Sequence, residues 1–429
     1  MKPEGRSGLV TSGRRAEGMR RANASAVLRA VLSGDGVSRA EVVRRTGLSA
    51  PAVTKLTASL IESGHLVEAE PRHTTALGRP RVAIRIDRDR GAALGVHIGL
   101  ERTTLGLVAL DGTVLAERAL RHEDTSPATI VEQAAEGVAA FLREHRGGRR
   151  VLGTGVSTGG WVDGGTVVEH AALGWTGVPL ADLLSARVPG PLRMEQHVRA
   201  TAEAELWFGA GRETDDLLVV FIGQVVDAAL VLGRSIHRGP GSAAGGIDHL
   251  FVGATAGGDA GAVGSAGAGG SAGAGGGAGA GGDAGGDGDA RCGCGRTGCL
   301  AAVATDAALL AAARRAGIDA TDLDHLIALA RGGDERAAAL VGGRARAVGR
   351  AVALLADLVN PGRVVLSGGV VKAPEHLDEL SAEAARCASR GRDLADRIGA
   401  TGLGPGALVV SAAAPVLADV LADPLGAEA

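Results

Sequence analysis

The chain has 429 residues, a formal net charge of −3 and an aromatic content of 2%. Its length allows two or three domains with real cores. The charge balance excludes a polycation, so any nucleic-acid binding must come from a local patch, and the scarcity of aromatics argues against recognition by base stacking or aromatic sugar platforms.

No apolar run approaches the ~18 residues of a membrane span and no signal-peptide pattern opens the chain, so a soluble cytoplasmic protein without a membrane partner is expected. Residues 1–18 are polar and expected to be a disordered basic tail, with Arg14 and Arg15 in it and Arg20 and Arg21 just beyond. Residues 19–88 read as one compact module. Ala26, Val27, Ala30, Val31 and Leu32 form the apolar face of a first helix. Ser38-Arg39-Ala40-Glu41 is a capping box opening a second helix, which Gly47 closes. Ser49 caps a third helix with Pro51 in its first turn, and Val53, Leu56, Leu60 and Ile61 make its buried stripe. Gly64 ends that helix, and residues 66–69 and 82–86 read as two strands joined by a polar loop.

This order describes a winged helix-turn-helix, in which the third helix enters the DNA major groove. Its candidate DNA contacts are Ser49, Ala50, Pro51, Thr54 and Lys55. The wing carries Arg72, His73, Arg79 and Arg81, and Gly78-Arg79-Pro80 suits an Arg laid into a narrow minor groove.

From residue 91 the pattern becomes α/β. Residues 94–98 and 105–110 read as a hairpin turning toward Asp111-Gly112. Further strands are expected at 151–156, 217–222 and 228–232, and a helix at 198–208. Residues 253–290 are nearly all Gly and Ala and are expected to form a disordered insertion. Helices dominate after Leu300, and residues 364–369 read as a strand running into a glycine turn.

Three of the four cysteines cluster as Cys292-x-Cys294-x4-Cys299, and Cys387 lies far away, which argues for a reducing compartment. Gly293, Gly295 and Gly298 supply the tight turns of a chelate loop, and His249 offers a fourth ligand. One His and three Cys close a tetrahedral structural zinc site.

Together these residues make the chain resemble the ROK family (repressors, open reading frames and sugar kinases), in its regulator branch of the xylose- and N-acetylglucosamine-repressor type. The motifs are Ser38-Arg39-Ala40-Glu41, Thr46-Gly47-Leu48-Ser49, Gly78-Arg79-Pro80, Trp175, Gly245 to His249, the cysteine cluster, Asn360-Pro361 and Gly368-Gly369. The resemblance implies a two-lobed, actin-like sugar-kinase fold over residues 91–429 and a structural zinc on His249, Cys292, Cys294 and Cys299. It also implies homodimers or dimers of dimers on palindromic operator DNA, with a sugar or sugar phosphate as effector.

The chain departs from that pattern where the family's kinases do chemistry. Their first phosphate loop has Asp-x-Gly-x-Thr, whereas this chain reads His97-Ile98-Gly99-Leu100-Glu101. Their catalytic base is the Asp of Glu-Asn-Asp, whereas Glu195-Gln196-His197 stands here. Phosphoryl transfer needs an acceptor for the hydroxyl proton and charge-neutralising contacts to the phosphates. His197 could accept a proton, but Val225 and Val226 crowd the second phosphate loop. No catalytic activity is therefore expected.

The sugar pocket is altered as well. Ala172 precedes Leu173-Gly174-Trp175 where relatives have Asn, Gly246 replaces a Glu, and Ala301 replaces the Glu after the last cysteine. Each lost group is a hydrogen-bond partner for a sugar hydroxyl. Either no sugar binds in the family manner, or an altered effector site uses Glu195, His197, Asp248 and His249; Arg199 reads as a surface residue of its helix. The insertion between His249 and Cys292 is tolerable, because lengthening a loop from about ten to about forty residues costs only ~1.2 kcal/mol of closure entropy.

The expectation is a DNA-binding transcriptional repressor whose kinase-like domain serves sensing and dimerisation. The alternatives are a sugar kinase with a DNA-binding head and an effector-independent DNA binder.

Overall fold

The computed structural model describes residues 11–426 except 33, 35, 70–81 and 254–290. The wing tip with Arg79 and Arg81, most of the Gly/Ala insertion and residues 1–10 of the tail lie outside the described residues.

The N-terminal head runs α1 (Thr11–Leu32), β1 (Val37–Ser38), α2 (Arg39–Thr46), α3 (Ala50–Glu62), β2 (Leu66–Ala69) and β3 (Ala83–Ile86). Helix α1 starts at Thr11, so residues 11–18 are helical where the sequence suggested a disordered tail. The capping signals act where they stand. Ser38 Oγ accepts from Glu41 N at 3.2 Å, and Gly47 takes φ 68° while its N–H bonds Val43 O. Ser49 Oγ accepts from Ala52 N at 3.4 Å. Each such cap stabilises its helix by about 1 kcal/mol. The other half of the expected capping box differs: the Glu41 carboxylate is engaged by Arg45 Nε at 2.8 Å and by Arg44. Strand β3 pairs with both β1 and β2, with Ile84 opposite Val37 and Ile86 opposite Leu66. That register turns the buried Ile84, Ile86 and Leu66 onto the helices' apolar faces, where Val27, Leu28, Val42, Val53 and Leu60 are also buried.

The body follows with β4 (Gly91–Ile98), β5 (Arg102–Ala109), β6 (Val114–Arg121), α4 (Pro127–His145), β7 (Arg150–Thr158), β8 (Trp161–Asp163), β9 (Thr166–His170), β10 (Trp175–Val178), α5 (Leu180–Ser185), β11 (Leu192–Gln196) and α6 (His197–Phe208). Next come β12 (Leu217–Ile222), β13 (Val226–Leu232) and β14 (Ser235–His237). The helical segment holds α7 (Leu300–Ala304), α8 (Asp306–Arg315), α9 (Leu323–Arg331) and α10 (Glu335–Val359). The chain ends with β15 (Arg363–Gly368), α11 (Glu375–Cys387), α12 (Leu394–Arg397), β16 (Ile398–Ala400) and α13 (Ala407–Ala422).

Two compact units result: residues 1–219, 229–244 and 401–429 form the first, and residues 220–228 and 245–400 the second. The first unit contains the head and a five-stranded sheet of order β11-β7-β4-β5-β6. β4, β5 and β6 are antiparallel neighbours, while β7 runs parallel to β4 and β11 parallel to β7. The hairpin at Asp111-Gly112 joins β5 to β6 rather than β4 to β5, whose turn is at residues 99–101. Helix α4 covers one face of the sheet through Ile130, Val138 and Phe141.

Helix α13 covers the other face at backbone contact. A Cβ at Gly155 would lie 1.9 Å from Ala412 O, and one at Gly95 2.3 Å from Val409 O, so only glycine lets the helix this close. The far side of α13 faces the head. Val410, Leu417 and Leu421 share one apolar cluster with Val27, Leu28 and Val31 of α1. Arg29 stacks its guanidinium 4.2 Å from the Trp207 ring centroid, and His65 Nε2 lies 2.8 Å from Pro424 O.

The second unit is built on the packing of α10 against α11, with Arg346 paired to Glu379 and Arg350 to Glu383, and a small core around Leu309, Leu326, Ile327 and Val341. Buried Arg344 donates to Ala304 O at 2.8 Å and to Asp306 Oδ1 at 2.5 Å. A second five-stranded sheet has the order β14-β13-β12-β15-β16.

Candidate DNA-contact face and metal centre

Helix α3 divides cleanly. Val53, Leu56, Thr57 and Leu60 are buried, while Ser49, Ala50, Pro51, Thr54 and Lys55 are all exposed, as is Ala58 one turn on. The expected DNA contacts of the helix therefore share one solvent face. Thr54 Oγ1 donates to Ala50 O at 2.9 Å, which leaves its lone pairs outward as acceptors. Arg39 Nη2 pairs with Glu68 at 2.8 Å and its Nε reaches Thr57 Oγ1 at 3.3 Å, bracing the start of α2 against α3 and β2.

The four chelating side chains come together in the second unit. One donor atom from each of His249, Cys292, Cys294 and Cys299 lies within 4.8 Å of every other. His249 Nδ1 is 3.3 Å from Cys292 Sγ, and Cys294 Sγ is 3.7 Å from Cys299 Sγ. A tetrahedral ion with Zn–S bonds of ~2.3 Å sets ligand atoms ~3.8 Å apart, so this donor set fits one such ion. The backbone explains why a long insertion is compatible with it. Val252 N bonds Gly298 O at 2.9 Å, Leu300 N bonds Leu250 O at 2.8 Å and Ala301 N bonds Asp248 O at 2.9 Å. These bonds tie the histidine segment to the cysteine segment on either side of residues 254–290. The chelate loop itself turns on Cys292 N to Arg296 O and Gly295 N to Cys292 O, both 2.8 Å, with Gly295 at φ 84°. Arg296 Nε, 3.4 Å from Cys294 Sγ, draws that thiol down to about 6, whereas burial pushes Cys299 up to about 11.

The four effector candidates fall into two pairs, Glu195 and His197 in the first unit and Asp248 and His249 in the second. Each pair has partners close at hand. Glu195 accepts from Arg199 Nε at 2.6 Å, from Arg238 Nη2 at 2.7 Å and from its neighbour Gln196 N at 2.8 Å. Arg199 is not the surface residue its position suggested. It is buried, and its other nitrogens donate to Ser242 O and Val162 O at 2.8 and 2.9 Å. A carboxylate one turn before an arginine was the available signal, and it was missed because Glu195 ends a strand while Arg199 lies on the helix that follows. Asp248 Oδ2 lies 3.2 Å from His249 Nε2. It holds the imidazole's second nitrogen as carboxylates commonly do behind metal-binding histidines.

His197 opens α6, and its ring centroid lies 4.9 Å from that of His97 on β4. Both imidazoles are buried, and His97 Nδ1 is 3.0 Å from Ser157 Oγ. Burial holds both neutral: His197 is lowered to about 4, and His97 well below the usual imidazole value by burial and by its neighbour. The positions where the resemblance set the phosphate-loop Asp and the catalytic Asp thus hold two uncharged rings in contact. They lie one hundred residues apart, and no local pattern signals that they touch.

The architecture defines the class: a winged helix-turn-helix joined to a sugar-kinase-like α/β body. The chain belongs to the ROK family, whose profile matches residues 93–417. A transcriptional regulator of Mycobacterium tuberculosis is 32% identical over 423 residues, spanning 94% of this chain and 87% of its own. The N-acetylglucosamine repressor of Escherichia coli is 24% identical over 367 residues, covering 83% of this chain and 82% of that protein. The crystal structure of a ROK family transcriptional regulator, a homologue of the E. coli MLC protein, superposes with a TM-score of 0.69 at 19% identity, covering 95% of this chain and 98% of that one. A ROK hexokinase from Thermus thermophilus superposes with a TM-score of 0.58 at 24% identity, over 77% of this chain and 99% of its own. At these identities the structural matches establish the fold. Among the described residues no helix is long and apolar enough to cross a membrane.

Proposed function

We propose that the chain is a DNA-binding transcriptional repressor that acts as a homodimer on a palindromic operator, with a kinase-like body that carries out no phosphoryl transfer. The observation that carries this reading is the exposed face of α3, where Ser49, Ala50, Pro51, Thr54 and Lys55 stand free above a fully buried opposite face. Pro51, Thr54 and Lys55 face the bases, Ser49 lies near phosphate, and Arg79 and Arg81 of the wing reach the minor groove or backbone. Regulators among the family's relatives support the reading. In fluorescence anisotropy on duplexes from its own upstream region, the Lys55→Ala, Arg79→Ala double variant should bind at least tenfold more weakly than the parent. Equal affinity would remove this placement.

The absence of kinase activity is supported by His97 and His197, which stand neutral and in contact where the family's kinases use carboxylates. Neither carries charge to bind magnesium or acts as a strong base at neutral pH. Glu195 is already neutralised by Arg199 and Arg238, so binding a sugar there would require breaking a buried ion pair. A coupled assay with ATP and a panel of hexoses and aminosugars should show no turnover.

The metal is zinc, held by His249, Cys292, Cys294 and Cys299. With four protein ligands and no open position, its role is to fix the loop that carries the cysteines. It supplies shape and no reaction chemistry.

A further inference from the structure

A groove of about 390 Å3 runs between α1 and α3 on the N-terminal head. Arg20 and Asn23 of α1 form one wall, and Lys55 and Ser59 of α3 form the other. Arg20 and Asn23 stand three residues apart and Lys55 and Ser59 four, so each pair shares one face of its helix. Buried Leu56 adds an apolar patch to the lining.

The lining holds two cations and no carboxylate. Among the described residues, Arg20 and Lys55 make no ion pair, and the side chains of Asn23 and Ser59 make no hydrogen bond. Other arginines of the head are engaged. Arg21 is held by Glu17 at 2.8 Å and by Asp423 at 3.1 Å, Arg39 by Glu68 at 2.8 Å and Arg45 by Glu41 at 2.8 Å. The groove thus gathers charge and donors that the chain itself does not satisfy, and an anion with several acceptor oxygens complements it. Position says which anion. The exposed Ala50, Pro51, Thr54 and Ala58 lie on the adjoining face of α3. A helix with its side chains is ~10–12 Å across and the DNA major groove ~12 Å wide, so a helix seated there has a phosphate strand along each flank. The groove between α1 and α3 is one of those flanks.

We propose that this groove seats a phosphate of the DNA backbone, with Arg20, Asn23 and Ser59 as its donors, and that α1 is a second DNA-contacting element beside α3. Lys55 stands at the rim shared with the exposed face and reaches past the phosphate to a base. The proposal rests on the regulator reading above and extends it to residues that position the protein without reading sequence. Its consequence is an added affinity that is the same for every duplex and falls with salt.

The test uses the full-length protein and fluorescence anisotropy on two duplexes of equal length, one from its own upstream region and one of scrambled sequence, between about 50 and 200 mM salt. Arg20→Ala should weaken binding about tenfold on both duplexes. It should also lower the slope of log K against log salt by about 1, the mark of one lost phosphate contact. Arg20→Lys keeps the charge and should restore the slope. Asn23→Asp places a carboxylate in the groove, whereas Ala22→Asp places one at an exposed position of α1 outside it. The first should weaken binding about fivefold more than the second. Thermal melts confirm that the variants fold. An unchanged slope in Arg20→Ala, a loss confined to the upstream duplex, or equal effects of the two aspartates overturns the proposal. If the parent binds neither duplex, the regulator reading fails and the groove assignment falls with it. If the parent binds and Arg20→Ala keeps the parent's slope, the groove assignment alone fails.

Discussion

Replacing Arg199 by Met should destabilise the first unit by about 3 kcal/mol. In the structure Arg199 makes three donor contacts, to Glu195 Oε1, Ser242 O and Val162 O, from a side chain only 3% exposed. Breaking a buried ion pair by removing one partner costs ~3–5 kcal/mol, because the other charge is left uncompensated. Arg238 still reaches Glu195 at 2.7 Å, but its own side chain is half exposed, which places the cost toward the low end. Removing both partners, as in Glu195→Leu with Arg199→Met, should recover at least half of the loss, since no buried charge remains. Urea unfolding read by tryptophan fluorescence reports this directly, as all three tryptophans lie in the first unit. The reasoning is refuted if Arg199→Met costs under ~1 kcal/mol, or if the parent binds a sugar and Glu195→Gln abolishes that binding without loss of stability. Either result would mark Glu195 as a ligand-binding group rather than a structural one.

Acid should weaken the first unit through its buried imidazoles. His197 is lowered from its ordinary value of 6.5 to about 4, so its contribution is intact above pH 6.5 and is lost progressively as pH falls toward 4. By pH 5 that amounts to about 2 kcal/mol, and His97→Asn with His197→Asn should flatten the pH profile between 7 and 5. Cys299→Ser should reduce bound zinc from one equivalent to a small fraction, measured by metal release to a chromogenic chelator, and lower the Tm of the second unit. Gly155→Ala should cost ~1–3 kcal/mol in denaturant unfolding, because its methyl would meet Ala412 O and force α13 off the sheet. Lys55→Ala should weaken operator binding by about 1–3 kcal/mol and relax sequence preference at the base it faces, read by anisotropy on single-base operator variants.

Features set by short-range chemistry were legible in the sequence. Ser38, Gly47 and Ser49 cap helices because a side-chain oxygen or a left-handed glycine acts within one turn of where it stands. The cysteine spacing predicted a shared chelate because three ligands lie within eight residues, and only His249 had to arrive from a distance. Strand β6 was missed because its sequence, VLAERALR, breaks a short apolar run with Glu117, Arg118 and Arg121 on a half-exposed edge and keeps no clean period of two. The role of α13 was illegible for a different reason. Its neighbours on one side are glycines of the sheet and on the other side the head, all hundreds of residues earlier, and an Ala- and Val-rich run does not say which surfaces it separates. The contact of His97 with His197 and the burial of Arg199 likewise depend on how β4, β11 and α6 are brought together, which local pattern does not encode.

The central claim is that the chain reads DNA as a symmetric dimer. Its most direct test is selection of random duplexes on the purified full-length protein, followed by sequencing. The account predicts enrichment of one palindrome, with half-sites about one helical turn or a multiple apart, lost in the Lys55→Ala, Arg79→Ala variant. Recovery of no enriched sequence, or of the same sequence by that variant, would contradict it.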